Sequence, residues 1–354
     1  MRNSTLSLPL LGLLLLAIPA HARAEGGPQP LYAGYKSWLL ACDNSGACTA
    51  RGFPLDGGPE LDLTITREAG AEGAITATLR AEASFDLHGL TLDGAPLRLG
   101  AGWRLQMGDG ETSLAATGLS VVRAFAQQIR NGTTLGLGAG MAVPLDGFAA
   151  ILLRMDAAQA RVGGTTALLT PGSKPASSVP PPAALPVVAL HPVAARLDAA
   201  EAARLIAVGT KASAQRMTKE ECETPPDDVA PDAHALSKTE ALVLLPCLFG
   251  AYQTASLGIL VDRRNETVSH LDLPLSFAGN PAPDDPTDML TEPDFAPTTG
   301  TLSMQAKGRG LADCGIAASW IWDGTRFELA ALTYQDACGG AEPGDWPGLY
   351  RSRP

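Results

Sequence analysis

The sequence predicts a β-rich α+β fold: two disulfide-containing domains, each a mainly antiparallel sheet packed with one or two helices. Three observations predict it. Short runs that alternate apolar and polar residues recur between Gly, Asn and Asp turns, as half-buried strands do. The stretch Pro171–Pro186 (PGSKPASSVPPPAALP) has no hydrophobic period, and its prolines favour an extended, semi-rigid spacer. Six cysteines are divided by that spacer, two before it and four after. The expected organisation is a signal peptide at 1–24, a β-rich domain at 25–170, the linker at 171–186 and an α+β domain at 187–354.

Composition narrows the class. With 354 residues, 45% of them hydrophobic, the chain can bury a sizeable core in each half and is not disordered in bulk. It carries 26 basic against 37 acidic residues, a net charge of −11, with no basic tract. Such a surface repels phosphate backbones, so no nucleic acid is expected among its partners. Arg2 precedes the apolar run Leu6–Ile18, and PAHARA follows with small residues suited to cleavage after Ala24. That run is too short for a comfortable membrane span. The expectation is an exported, periplasmic protein with no membrane span and no lipid anchor.

In an exported chain, Cys42, Cys48, Cys222, Cys247, Cys314 and Cys338 read as three disulfides. Fifteen connectivities are open to six cysteines. Nearest-neighbour pairing keeps every loop inside one half and is the connectivity expected: Cys42–Cys48, Cys222–Cys247 and Cys314–Cys338.

In the first half, Tyr35–Leu40 (YKSWLL) is a β-favouring run entering the loop CDNSGAC. Leu61–Thr66 and Ala74–Leu79 alternate as strands about a turn at Gly70–Gly73. Asp93-Gly94 marks a hairpin within Leu90–Leu99. Ser120 is placed to cap a helix over Val121–Arg130, ended by Asn131-Gly132, with a strand at Thr133–Leu137. Asp146 is placed to cap a second helix, Gly147–Val162, stopped by Gly163-Gly164. Its Phe148, Ile151, Leu152 and Met155 share one face, which predicts core.

Beyond the spacer, D-x-x-E at Asp198 and S-x-x-E at Ser237 predict capped helices over Asp198–Ala207 and Ser237–Leu245. Pro246 would end the second, and a Cys222–Cys247 bridge would clamp it. Leu257–Val261 and Val268–Phe277 read as strands, and Asn280–Pro297 as an acidic loop broken by prolines. A final hairpin is predicted from Ser319–Trp322 and Thr325–Leu332 on a two-residue turn, Asp323-Gly324, between Cys314 and Cys338.

Candidate chemistry is sparse. CDNSGAC has neither the spacing nor a neighbouring histidine for zinc, so it is read as a disulfide-closed turn. His88, His191, His234 and His270 stand near no G-x-S-x-G nucleophile, and catalytic residues are not expected. In KGRGLADCG, Asp313 occupies the third glycine position of a dinucleotide loop, so a tight turn with local pairing of Arg309 or Asp313 is predicted. The acidic residues Asp284, Asp285, Asp288, Glu292 and Asp294 lack the order of a calcium loop and are read as solvated. No cofactor and no metal are expected. Aromatics gather at the C-terminal end; Trp320, Trp322, Phe327, Trp346 and Tyr350, with Tyr334 beside them, are ordinarily packing under a terminal sheet. As a sharper reading, those first five form a binding surface.

The segments WLLACDNSGACTARGF, RNGTTLGLGAGMAVPLDGFAAILLRMDAAQARVGG, LPCLFGAY, GRGLADCGIAASWIWDGTRFELA and WPGLYRSRP resemble, in order, an exported bacterial family catalogued as domain of unknown function 1176. The first half is also similar to the invasion-associated locus B family, through its early paired cysteines and Leu145–Leu152, although Pro144 stands where that family tends to have serine. Neither resemblance implies a catalytic residue. The expected function is a non-enzymatic envelope module whose partner is an unknown envelope protein or glycan. The alternatives are an envelope-acting hydrolase using scattered acidic residues and a secreted inhibitor or stress protein.

Overall fold

A computed structural model describes residues 28–55, 61–108, 111–138, 140–273, 275, 288–340 and 345–354. The predicted signal peptide, Asp284 and Asp285 lie outside the described residues. The first half contains β1 (Leu31–Tyr35), β2 (Trp38–Cys42), β3 (Cys48–Gly52), β4 (Leu61–Arg67), β5 (Ile75–Ala81), β6 (Thr91–Leu92), β7 (Ala95–Pro96), β8 (Trp103–Met107) and β9 (Thr112–Thr117). It continues with α1 (Leu119–Ile129), β10 (Thr134–Gly138), β11 (Met141–Pro144) and α2 (Phe148–Ala158). The strands form an antiparallel seven-stranded sheet ordered β1-β2-β3-β4-β5-β9-β8 and a four-stranded one ordered β11-β10-β6-β7.

Alternation does what it predicts in β5, where every second residue is buried. The Asp93-Gly94 hairpin joins β6 to β7 with both residues at positive φ, 52° and 81°, as a two-residue primed turn requires. Both predicted helix caps are corrected. Helix α1 starts at Leu119 behind Gly118, so Ser120 lies inside it, and neither helix has a side-chain cap. Gly147 precedes α2 at φ 99°, and a Cβ there would meet the Tyr35 carbonyl at 2.0 Å. Asp146 instead pairs with Lys36 at 2.8 Å. Helix α2 stops at Ala158, short of Val162, because Gln159 and Arg161 turn inward to hydrogen-bond buried carbonyls. Phe148, Ile151, Leu152 and Met155 are core, as their spacing predicts.

The second half contains α3 (Ala199–Lys219), β12 (Asp232–Ala235), β13 (Glu240–Phe249), β14 (Thr254–Asp262), β15 (Val268–His270) and β16 (Met289–Thr291). The meander β17 (Asp294–Ala296), β18 (Thr301–Lys307), β19 (Gly315–Trp322), β20 (Phe327–Gln335) and β21 (Gly348–Arg351) follows as a five-stranded sheet. Strands β12 to β16 form the other five-stranded sheet. Asp198 caps α3 by accepting the Glu201 N–H at 2.8 Å, but the helix runs on to Lys219.

The helix predicted over Ser237–Leu245 is a strand. Ser237 Oγ accepts the N–H groups of Thr239 and Glu240, as a cap would, yet Glu240 opens β13. A continuous apolar run such as EALVLL fits a strand buried on both faces as well as a helix. Here Ala241, Val243 and Leu245 face α3, while Leu242 and Leu244 face the last sheet. Pro246 therefore sits within the strand, at a bulge beyond the part paired with β12. The Cys222–Cys247 bridge ties the chain after α3 to β13 and clamps no helix. All three disulfides pair nearest neighbours. Of the strand predicted at Val268–Phe277, Val268–His270 is strand and 271–273 are not, while residues 274, 276 and 277 lie outside the described residues. The final hairpin pairs as far as Trp322 opposite Phe327, so its turn has four residues (323–326), fastened by Asp323.

Among the described residues, three clusters make the core. One is drawn wholly from the first half, another from α3 with β13 and β14. The remaining one spans the halves: Tyr32, Leu39, Ala41 and Phe53 join Trp320, Trp322 and Leu332. Strand β2 is buried at every residue because its faces serve different cores, Trp38 and Leu40 inward and Leu39 and Ala41 outward. The segment 171–186 lies along the first half, where the Ala183 N–H donates to Ser45 O at 3.1 Å. At its end Pro186 O accepts from the Arg353 N–H at 2.9 Å, beside the C-terminal strand. Among the described residues no helix is long and apolar enough to cross a membrane.

Candidate functional site

Four of the five aromatics predicted as a binding surface are core. Trp320 and Trp322 are fully buried, and Phe327 and Trp346 are 3% exposed. Trp322 and Phe327 lie 5.2 Å apart as a tilted pair, and Phe327 meets Phe295 edge-on at 6.3 Å. Their large apolar area is spent on packing the two C-terminal sheets. Tyr350 alone of the five is half-buried.

Tyr350 borders a groove of about 590 Å³, a size at which small molecules bind. Its apolar wall combines Pro30, Pro186 and Val187 with Phe327 and Tyr350. Asp272, Arg326 and Glu328 form a charged rim. Arg326, an exposed side chain, pairs with Glu328 at 2.6 Å and lies 3.8 Å from Asp323. Burial, then the Glu328 charge, raises the Tyr350 phenol above its ordinary range, leaving a neutral O–H that can donate or accept. The lining is part apolar and part charged, and segments from both ends of the chain contribute to it.

A largely buried polar junction ties the two halves together elsewhere. Arg51 Nη1 donates to Gln335 Oε1 at 3.2 Å and to Asp345 O at 2.8 Å, while Nε reaches Thr64 at 3.1 Å. Asp62, 2% exposed, accepts from Arg80 at 3.2 Å, and Arg80 also pairs with Asp345. Burial pulls the Arg51 guanidinium below its usual range. Burial acts likewise on Arg80, but Asp62 and Asp345 outweigh it and hold that group above its usual range. The CDNSGAC loop fastens the C-terminal strand in a similar way. The Asn44 side-chain amide donates to Arg351 O at 2.9 Å and accepts from the Arg351 N–H at 3.0 Å, and Asp43 and Ser45 bind the Arg351 guanidinium. The loop is a disulfide-closed turn, and it holds β21, which carries Tyr350.

The other candidate residues form no single site. His88 follows the Asp86 turn at the surface, and His191 bonds through its backbone to Thr299. His234 pairs with Asp232 at 2.9 Å and lies against Phe295, in a smaller groove of about 280 Å³ with Glu292 and Asp294. His270 lies near Asp288, which is buried, contrary to the solvated reading of that residue. Arg309 pairs with Asp313, as the tight-turn reading of KGRGLADCG requires. Asp313 gathers with Cys314 and Cys338, but both sulfurs are committed to a disulfide and offer no thiolate. Sequence reasoning missed Arg51, Asp62 and Arg80. Their alternation marks a polar face, and only the fold shows that the second half covers it.

Residues 32–353 match the family described as "Protein of unknown function (DUF1176)", and the chain belongs to that family. It is 32% identical over 338 residues to the "Uncharacterized protein YpfG" of Escherichia coli strain K12, covering 92% of this chain and 94% of that one. No solved structure matches.

Proposed function

We propose that this protein is an exported, periplasmic binding module of the cell envelope that takes a glycan in the Tyr350 groove and has no catalytic role. The observation that carries the reading is the amphipathic groove itself. An apolar wall beside an aromatic ring suits the C–H face of a pyranose, and carboxylates with a guanidinium suit its hydroxyls. Three disulfides favour an oxidising compartment. The N-terminal run ending at Ala24 supports export, with cleavage there. In the same reading residues 25–170 and 187–354 are two units joined by 171–186. Support comes from disulfides that stay within each half and from one core cluster drawn wholly from the first half, while the cluster shared through β2 packs the two units together.

Titration of the purified protein with soluble envelope glycan fragments, followed by NMR, tests the proposal. Saturable binding that Tyr350→Ala weakens about tenfold, with an unchanged melting curve, is the expected result. Equal binding by the variant, or binding of envelope peptides in place of glycans, contradicts it. N-terminal sequencing of the exported protein checks the cleavage site.

A further inference from the structure

Strand β14 carries two short strands end to end on one edge: β15 opposite Ile259–Val261 and β16 opposite Ala255–Leu257. Gly258 lies in the break between them, its N–H donating to Asp288 O at 2.7 Å. Helix α3 covers this break, and a cavity of about 150 Å³ remains beneath it. Leu257 and Ile259 form its apolar wall, and Ser213, Arg216, His270 and Asp288 its polar one.

Asp288 is only 1% exposed. Its Oδ1 accepts from Arg216 at 3.1 Å, but Oδ2 has no hydrogen-bond partner. His270 Nδ1 stands 3.7 Å from Oδ2, too far to satisfy it. Native proteins seldom leave a buried carboxylate oxygen open, because it loses water and gains nothing in return. Charge points the same way. Arg216 also lies 2.9 Å from Glu220, so two carboxylates share one guanidinium and one fixed negative charge is left over. A divalent ion would find two protein ligands here, since the one larger ligand group among the described residues is at Asp313.

We propose that the Asp288 cavity binds a protonated primary amine on a short aliphatic stem. The ammonium donates to Asp288 Oδ2 and His270 Nδ1, with the Ser213 hydroxyl as a third acceptor in the same cavity, and the stem lies on Leu257 and Ile259. Oδ2 is shielded from solvent, so binding requires the cavity to open locally beside the exposed His270 ring. This site is separate from the Tyr350 groove and does not depend on the glycan reading.

NMR titration of the full protein with propylammonium, 1-propanol and propionate tests it. Propylammonium alone should shift the Leu257, Gly258 and His270 resonances saturably, and more weakly at high salt. Asp288→Asn should weaken binding about tenfold, the loss expected for a hydrogen bond to a charged group. His270→Phe, on an exposed side chain, provides a variant whose folding is not in question and should weaken it too. Equal shifts with propanol, no saturable shift with the amine, or binding by His270→Phe as tight as wild type would overturn the proposal.

Discussion

The two faces of the seven-stranded sheet are built differently. Its inner face, with Leu40, Leu63, Ile65 and Leu79, packs on α1 and α2 and is completed by its own half. Its outer face carries Leu39, Ala41 and Phe53 beside Arg51, Asp62 and Arg80, and the second half completes it. The inner face is a conventional apolar core, whereas the outer one is half core and half ion-pair network. An apolar core tolerates loss of a methyl group at moderate cost. A buried charge network is less forgiving, because each deletion strands the charge that remains.

The largest effect should follow from Arg51→Ala. It leaves Gln335, Asp345 O and Thr64 without their donor and removes a positive charge near Asp62, which keeps Arg80 as its partner. A loss of about 3–5 kcal/mol is expected in chemical denaturation. A loss below 1 kcal/mol, which an exposed pair would give, breaks the contrast between the faces.

Leu39→Ala and Leu40→Ala sharpen it. Both side chains are buried and each truncation should cost roughly 2–5 kcal/mol. Their consequences differ. Leu39→Ala should increase hydrogen exchange in β19 and β20, in the second half, whereas Leu40→Ala should increase it in α2. Identical exchange patterns would argue against separate cores.

A smaller, pH-dependent effect comes from Tyr32, which donates to Asp336 across the junction at 2.5 Å. Burial, then that hydrogen bond, pushes its phenol well above the ordinary 10.0. The unfolded chain ionises near that value while the folded one keeps its proton. The contribution is thus intact below pH 10 and is lost as pH rises beyond it, at about 1.4 kcal/mol per pH unit. Tyr32→Phe should cost about 1 kcal/mol at neutral pH and flatten the alkaline slope by about one proton. An unchanged slope assigns the alkaline loss to other groups.

What was legible in the sequence follows from local rules. The three disulfides, the Asp93-Gly94 turn and the core face of α2 are specified by residues close in sequence. Errors fall where distant packing decides. S-x-x-E at Ser237 satisfies a capping pattern, but β13 is sandwiched between α3 and the last sheet, and a strand buries both faces of EALVLLPCLF. WLLAC is readable as β-favouring, yet its unbroken burial arises from a partner far along the chain. The same holds for the candidate site. Tyr350 was visible as an aromatic, while the groove needs Pro30 and Pro186 beside it, which no local pattern announces.

The central claim is that β2 joins the halves through a shared core. Equilibrium unfolding in guanidinium, read by hydrogen exchange or residue-specific NMR in both halves, tests it most directly. The account predicts one coincident transition for Trp38, in the first half, and for Trp320 and Trp322, in the second. Two transitions, with the second half melting while Leu39 and Ala41 stay protected, would contradict it.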